Sequence, residues 1–223
     1  MIHGEWPENF NLGWLSDMSV TWRNEFQSRG AIWVHDGRPG RPHALLTSGL
    51  HSDGFVNCTF VTQQPALLQR IVSTPEGMAA ALPAEKVDWV IGSAFGAITL
   101  AHAVGWKLGA CAGFTEKEGE HMKLSRFEVL PESKVLVVED TISTGGSTLK
   151  TIQALHKAGI PDSNILPYIV CLVNRSGSDL LGTRQLRSLL KLDIHSWQAE
   201  NCPLCQAGSI AVRPKSHWNE LTK

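Results

Sequence analysis

Several features that mark other protein classes are scarce in this chain of 223 residues. Lysine and arginine total 20 against 21 acidic residues, so the formal net charge is −1. The chain therefore lacks the positive charge typical of non-specific nucleic-acid binders. The longest apolar runs, such as 169–173, are far shorter than the roughly 20 residues that span a bilayer. We therefore expect neither a nucleic-acid partner nor a membrane span.

Disulfide bonds and an export signal are not expected either. The five cysteines are odd in number and scattered, which favours reduced thiols. Residues 1–8 have neither the basic flank nor the apolar run of a secretory signal. These features predict a cytoplasmic protein. The length suffices to bury a large core, and we predict a single domain over residues 1–223.

The order of hydrophobic patterns predicts an α/β fold. A helix is predicted near 17–30, extended chain over 44–61, and helical pieces from Pro65 and over 75–82. From residue 87, short apolar runs alternate with helical patterns. Strands are predicted at 87–91, 110–114, 135–138 and 165–173, and helices at 98–108 and 145–158. Such alternation favours a mostly parallel sheet flanked by helices, with ligands at the carboxyl ends of its strands.

Two polar segments are predicted to lie outside the core. Residues 115–129 are polar and aperiodic, which favours a mobile loop or an exposed hairpin. This segment carries four potential cations, which closure over a substrate would set against an anionic leaving group. They are Lys117, His121, Lys123 and Arg126. Residues 208–214 are interpreted as an exposed tail.

The strongest motif runs over residues 135–148. A buried strand delivers Glu139 and Asp140 to its carboxyl end, and a turn rich in Gly, Ser and Thr then begins a helix. Free amides at a helix start, with neighbouring hydroxyls, suit a phosphate monoester. Carboxylates accept hydrogen bonds from sugar hydroxyls, so a ligand with phosphate beside a ribose would satisfy both halves. The alternative is a capped turn with solvated acids. No Lys follows the glycines, unlike the nucleotide P-loop.

This segment resembles the phosphoribosyl-diphosphate-binding signature of the type I phosphoribosyltransferases. Residues 47–57, with Phe55 in the aromatic place, look like the segment of orotate phosphoribosyltransferases that stacks on the base. The resemblance continues over roughly residues 17–215. Residues 91–98 are similar to the pyrophosphate loop, 114–126 to the flexible catalytic loop, and 173–177 to the strand end whose Arg contacts the base.

The resemblance implies a type I phosphoribosyltransferase-like fold with a small hood from about 1–60 and 190–215. It implies transfer of the 5-phosphoribosyl group from phosphoribosyl diphosphate to orotate, with Mg²⁺ bound mainly through the diphosphate. It further implies a homodimer in which Lys123 or Arg126 acts on the neighbouring subunit. A phosphoribosyltransferase for another base, or a non-catalytic regulator that binds phosphoribosyl diphosphate, stays open.

The resemblance also implies the site residues. The catalytic set is Lys117, Glu139 and Asp140. The substrate-binding set is Phe55, Ser93, Ala94, Phe95, Gly96, Lys123, Arg126, Thr141, Ile142, Ser143, Thr144, Gly145, Gly146, Ser147 and Arg175. A guanidinium at a strand end beside the phosphate turn independently suits a planar acidic ring, and its alternative is an ordinary strand-end charge. Family members commonly carry an Arg before the catalytic-loop Lys, where this chain has Glu116.

A Cys-x2-Cys pair, Cys202 and Cys205, is half of a zinc-ribbon pattern. His195 and His217 are conceivable completing ligands, but their spacing matches no strong signature. A tight turn carrying two thiols is the favoured interpretation, so no metal ligand is predicted.

Overall fold

The first helix precedes the sheet. This computed structural model describes residues 21–222, and the parts of the predicted first helix and hood before residue 21 lie outside the described residues. Residues 21–28 are helical and form α1. Gly30 follows with a φ of 72°, in the left-handed region that favours glycine after a helix. The predicted end of this helix is confirmed.

The remaining elements follow in chain order. The strands are β1 (Ile32–Val34), β2 (His43–Leu45), β3 (His51–Ser52), β4 (Gly54–Val56), β5 (Trp89–Ser93), β6 (Cys111–Glu118), β7 (His121–Lys123), β8 (Val135–Ile142), β9 (Ile165–Asn174), β10 (Leu180–Leu181), β11 (Arg184–Lys191), β12 (Ser196–Trp197) and β13 (Ala211–Val212). The helices are α2 (Thr59–Thr62), α3 (Pro65–Ser73), α4 (Ile98–Leu108), α5 (Gly146–Lys157), α6 (Pro203–Gln206) and α7 (Trp218–Thr222).

A seven-stranded sheet forms the centre, in the order β10-β11-β9-β8-β5-β6-β7. The five inner strands are parallel, and the two edge strands are antiparallel. Alternate residues of β8 enter different apolar clusters: Leu136 and Val138 pack with α1, α3 and α4, whereas Val135 and Val137 pack with α5. The predicted parallel sheet with helices on both faces is confirmed.

The ends of several elements differ from the predictions. Strands β6 and β8 continue beyond their apolar runs into polar residues, because ladder hydrogen bonds do not depend on side-chain polarity. Residues 116–118 and 121–123 form a hairpin, one of the two predicted alternatives. The prediction that residues 115–129 lie outside the core is wrong for Thr115, Met122 and Val129, which are buried. The prediction of helix over 75–82 is wrong for most of that range, where only Ala79–Ala81 form a 3-10 turn. The extended segment 44–61 ends in the short helix α2.

A separate four-stranded sheet, which we call the small sheet, has the order β12-β3-β2-β13. It joins strands that are about 150 positions apart in the sequence. The prediction of an exposed tail at 208–214 is wrong, because β13 pairs in parallel with β2 and the Ser209 side chain is buried. Among residues 21–222, no helix has the length and apolar character needed to cross a membrane.

Candidate active site

The two neighbouring acids at the end of β8 have different surroundings. Glu139 is 5% exposed, and its Oε2 accepts hydrogen bonds from Ser93 Oγ and, at 3.1 Å, from Thr148 Oγ1. Its Oε1 accepts the Asp140 amide at 3.2 Å. Asp140 is half-buried. The predicted ribose site therefore contains one carboxylate already bonded within the protein and one beside it with more access to solvent.

The Asp140 carboxylate faces the turn after β5. A Cβ placed on Gly96 would lie 2.6 Å from Asp140 Oδ1, so only glycine allows this approach. In the same turn the Ala94 amide donates to Thr115 O at 2.8 Å. The amides of Phe95 and Gly96 have no hydrogen-bond partner within residues 21–222. These two amides remain for an anion, as the predicted pyrophosphate loop requires.

Burial and proximity keep protons on this acid pair. Burial and the charge of Asp140 raise the pKa of Glu139 from 4.5 to about 8. Burial also raises the pKa of Asp140 above its ordinary value of 3.8. Two adjacent carboxyl groups in a low-dielectric site do not both ionise readily, so the pair retains a proton near neutral pH.

The turn between β8 and α5 has the features of an anion site. Gly145 has a φ of 73°, and its Cβ position lies 2.3 Å from Leu181 Cδ1, so glycine is required there. Amides 143–148 find no hydrogen-bond acceptor in the described part of the chain. Ser143, Thr144 and Ser147 are exposed. Thr141 bonds with Cys58 Sγ at 3.2 Å, and Ile142 is buried, so these two predicted ligands support the loop with their side chains turned into the protein.

Arg175 lies directly after β9 and is 9% exposed. Its Nη2 donates to Ser52 Oγ at 3.1 Å and to Ser196 Oγ at 3.0 Å. Burial lowers the pKa of the guanidinium. Its buried Nε has no hydrogen-bond partner within residues 21–222. Unpaired buried donors are costly, so this one marks a place for an external acceptor.

One cavity of about 390 Å³ brings the phosphate turn and Arg175 together. Ser143 and Thr144 line one part of it, and Arg175 lines another. The rest of the wall comes from residues 46–50, from the two residues after Arg175 and from the segment after β11. These residues are Leu46, Ser48, Leu50, Ser176, Gly177, Leu192, Asp193, Ile194, His195 and Ser196. The anion turn and the predicted base-contacting residue thus share one cavity at the carboxyl ends of parallel strands.

Comparison with known proteins decides the family. No model of a protein family matches the chain. The orotate phosphoribosyltransferase of Acidithiobacillus ferrooxidans is 36% identical over 190 residues, which cover 83% of this chain and 94% of that protein. This chain belongs to the orotate phosphoribosyltransferase family. The predicted membership of this family and of the type I phosphoribosyltransferase fold is confirmed.

Solved structures share the fold at lower identity. Orotate phosphoribosyltransferase from Aeropyrum pernix has a TM-score of 0.56 at 23% identity, covering 76% of this chain and 92% of that one. Adenine phosphoribosyltransferase from Rhodothermus marinus has a TM-score of 0.54 at 18% identity, covering 79% and 99%. The fold is therefore shared by phosphoribosyltransferases that are named for different bases. The identity of the base that this chain uses must be argued from its cavity.

The predicted orotate phosphoribosyltransferase loop, 114–126, is the β6–β7 hairpin. Lys123 pairs with Glu118 at 3.0 Å, and Arg126 pairs with Glu116 at 2.9 Å. Lys117 is exposed and forms no ion pair with any residue from 21 to 222. Glu116, which stands where the family commonly has Arg, thus pairs with a cation that follows β7.

Phe55 is separated from the cavity that contains Arg175. It lies in an apolar cluster with Trp33 and Leu221, and its ring centroid is 6.1 Å from that of Trp218. It does not line the 390 Å³ cavity. The structure therefore does not bring Phe55 and Arg175 together.

Residues 192–196 fall within the predicted hood, but none of them was predicted as a site residue. These residues follow β11, the outer parallel strand, and therefore lie at the same edge of the sheet as Asp140 and Arg175. A strand signal at 184–191 would have placed the following residues at that edge. That signal is weak, because β11 mixes polar and apolar residues without a period of two and carries two arginines.

Proposed function

We propose that this chain transfers the 5-phosphoribosyl group from phosphoribosyl diphosphate to orotate, which releases pyrophosphate and gives orotidine 5-monophosphate. The observation that carries the proposal is the shared cavity, which is lined by both an unpartnered anion turn and a buried guanidinium. The membership of the orotate phosphoribosyltransferase family agrees with it.

Orotate suits the Arg175 side of the cavity. A charged guanidinium donates strong hydrogen bonds to a carboxylate, and orotate is a planar ring that carries a carboxylate. Because Nη2 of Arg175 already donates to two serines, Nε and Nη1 are the donors that remain for it. The Ser52 and Ser196 hydroxyls hold the guanidinium from the protein side. Neutral bases such as uracil and adenine offer Arg175 no carboxylate.

The phosphate turn anchors the other substrate. Amides 143–148 and the exposed hydroxyls of Ser143, Thr144 and Ser147 hold the 5-phosphate. Gly145 and Gly146 allow the backbone to approach it. Asp140 accepts hydrogen bonds from the ribose hydroxyls and places negative charge near the positive charge that develops on the ribose. Glu139, bonded to Ser93 and Thr148, keeps Asp140 in place.

Departure of pyrophosphate is assisted from the other side of Asp140. The amides of Phe95 and Gly96 donate hydrogen bonds to the diphosphate, and closure of the hairpin brings Lys117 to the leaving group and excludes water. Asp140 and the nearby hydroxyls are the hard oxygen donors that Mg²⁺ takes, so the residues present fit an ion carried in with the diphosphate. The chemistry that Mg²⁺ supplies when bound is neutralisation of charge on the leaving group.

The proposal includes a homodimer located in the cytoplasm, in which Lys123 or Arg126 serves the neighbouring subunit. In that arrangement the ion pairs with Glu118 and Glu116 are exchanged for contacts with the diphosphate when the hairpin closes. Both pairs are largely exposed, so their loss costs little.

The test mixes purified protein with phosphoribosyl diphosphate, Mg²⁺ and orotate, and follows orotate absorbance and pyrophosphate release together. We expect equal amounts of orotate lost and pyrophosphate formed. Parallel reactions contain uracil or adenine. Turnover of one of these bases without turnover of orotate would overturn the assignment of the base. A rise in melting temperature with phosphoribosyl diphosphate but no turnover of any base would indicate a regulator.

A further inference from the structure

Four potential metal ligands converge between the small sheet and α6, outside the phosphoribosyl site. They are His43 from β2, His51 from β3, Cys202 before α6 and Cys205 within it. Their ligand atoms all lie within 4.8 Å of one another. The Cys-x2-Cys pair is therefore completed by two histidines of the antiparallel β2–β3 pair. His195, one of the two expected candidates, contacts Asp53 and stacks on Trp197.

We propose that one structural Zn²⁺ ion is bound by His43, His51, Cys202 and Cys205. A Cys₂His₂ set of four protein ligands leaves no open position, which is characteristic of structural zinc sites. Soft thiolates with imidazoles in tetrahedral arrangement favour zinc over the hard cations Mg²⁺ and Ca²⁺.

The distances between the ligand atoms match a tetrahedron around zinc. Bond lengths of about 2.3 Å to sulfur and 2.0–2.1 Å to nitrogen give nitrogen–nitrogen and nitrogen–sulfur separations of about 3.3 and 3.5 Å. His43 Nε2 lies 3.0 Å from His51 Nδ1 and 3.6 Å from both Cys202 Sγ and Cys205 Sγ. His51 Nδ1 lies 3.2 Å from Cys205 Sγ. These four separations lie within a few tenths of an ångström of the tetrahedral values, and the other two are no longer than 4.8 Å.

A hydrogen-bonded relay orients the His43 ring for this role. His43 and Cys202 are fully buried. With Nε2 toward the metal, the His43 Nδ1 carries the ring proton. It donates a hydrogen bond to Ser209 Oγ at 2.7 Å. Ser209 Oγ in turn donates to Arg41 O. The Ser209 amide donates to Leu204 O at 2.9 Å, so the same serine is tied to the Cys-x2-Cys turn.

The ion would clip together parts of the chain that are about 150 positions apart and would support the base cavity. His51 precedes Ser52, whose hydroxyl accepts from Arg175. Strand β3 also pairs with β12, which supplies Ser196, the other hydroxyl bound to Arg175. We therefore expect loss of zinc to loosen the position of Arg175 and to raise the KM for orotate several-fold, with less effect on phosphoribosyl diphosphate.

The experiment measures metal in the full-length protein, purified without chelators from cells grown with zinc. We expect about one zinc per chain by elemental analysis. Replacement of zinc by Co²⁺ in the same protein gives the thiolate-to-cobalt absorption of a tetrahedral site. Neither readout depends on enzymatic activity, so failure of the zinc site and failure of the proposed reaction are distinguishable.

Variants locate the ion. We expect Cys205→Ser and His51→Ala, both at partly exposed positions, to reduce bound zinc at least 10-fold. Cys111→Ser is the matched control, because Cys111 is an exposed thiol away from the cluster, and it retains the metal. Because these variants can also lose stability, chelation of the unaltered protein and re-addition of Zn²⁺ provides a second route. Melting temperature should fall on chelation and recover with Zn²⁺.

Several results would overturn the proposal. One is protein without stoichiometric metal that also fails to bind added Zn²⁺ or Co²⁺ after reduction. Another is a disulfide between Cys202 and Cys205 that persists in freshly purified protein. Retention of zinc in both Cys205→Ser and His51→Ala, or iron in place of zinc as the resident metal, would equally contradict it.

Discussion

Gly96 touches the Asp140 carboxylate so closely that a Cβ on Gly96 would lie 2.6 Å from Asp140 Oδ1 and 2.7 Å from Oδ2. The turn after β5 and the end of β8 therefore fix one another. The backbone of the proposed diphosphate-binding turn is in contact with the carboxylate proposed to hold the ribose. A shift of one therefore displaces the other.

Gly96→Ala should push the Asp140 carboxylate out of place. We expect kcat/KM to fall about 100-fold, because misplacing one preorganised charge has an effect of this size. The melting temperature should also fall. The double variant Gly96→Ala with Asp140→Ala removes the clash, so its melting temperature should exceed that of Gly96→Ala alone. If the two variants melt together, the contact is not the source of the loss.

Glu139 makes stability depend on pH. Its folded pKa of about 8 exceeds its ordinary value of 4.5, so the folded chain holds a proton that the unfolded chain has released between these values. This contribution is complete below about pH 4.5 and is lost as pH rises through 8. The melting temperature should therefore fall between pH 5 and 8.5 more steeply in the unaltered chain than in Glu139→Gln. Glu132→Gln, at an exposed position, is the control and should keep the original slope.

Arg175→Lys should affect the base more than the sugar phosphate. Lysine keeps the charge but loses the planar guanidinium and its hydrogen-bond donors, which should raise the KM for orotate about 10-fold. The KM for phosphoribosyl diphosphate should change little. Arg38→Lys, in an exposed loop, controls for the substitution itself. Equal rises in both KM values would contradict a role in base recognition.

The β6–β7 hairpin is predicted to contribute Lys123 to the active site of the neighbouring subunit. Lys123→Ala and Asp140→Asn should each lower kcat strongly, whereas Glu118→Gln, which removes only the acid paired with Lys123, should not. Mixing the two inactive proteins should restore about a quarter of the original activity, because half of randomly exchanged dimers then contain one intact site. If the mixture shows only the mean of its two parents, the hairpin acts within its own subunit or the chain is monomeric.

Much of the central sheet was predictable because its strands are continuous apolar runs followed by helical periodicity. Val135–Val138 and the following helix are the strongest examples, and the structure places both as expected. The burial of Glu139 was also available from the sequence, since alternation along β8 puts Glu139 on the same face as Val137. The phosphate turn and Arg175 followed from strand ends, and their functional roles stay predictions, as do the hood boundaries.

The small sheet could not be predicted in the same way. Its strands have two or three residues, too few to show a period, and their partners are distant in the sequence. For the same reason the Cys-x2-Cys pair was matched with histidines near it in the sequence, whereas the fold supplies His43 and His51. Phe55 is a similar case. The motif identifies an aromatic residue at this position but does not show that its ring packs against Trp218.

The small sheet also has a consequence for how the chain is made. During translation, β2 and β3 leave the ribosome before β12 and β13 are synthesised. The edges of β2 and β3 that later pair with them therefore stay unpaired while the central sheet is synthesised. The wall that holds Arg175 is completed only by this late pairing. A nascent chain stopped before residue 196 would thus carry the whole phosphate turn and yet no finished pocket for a base.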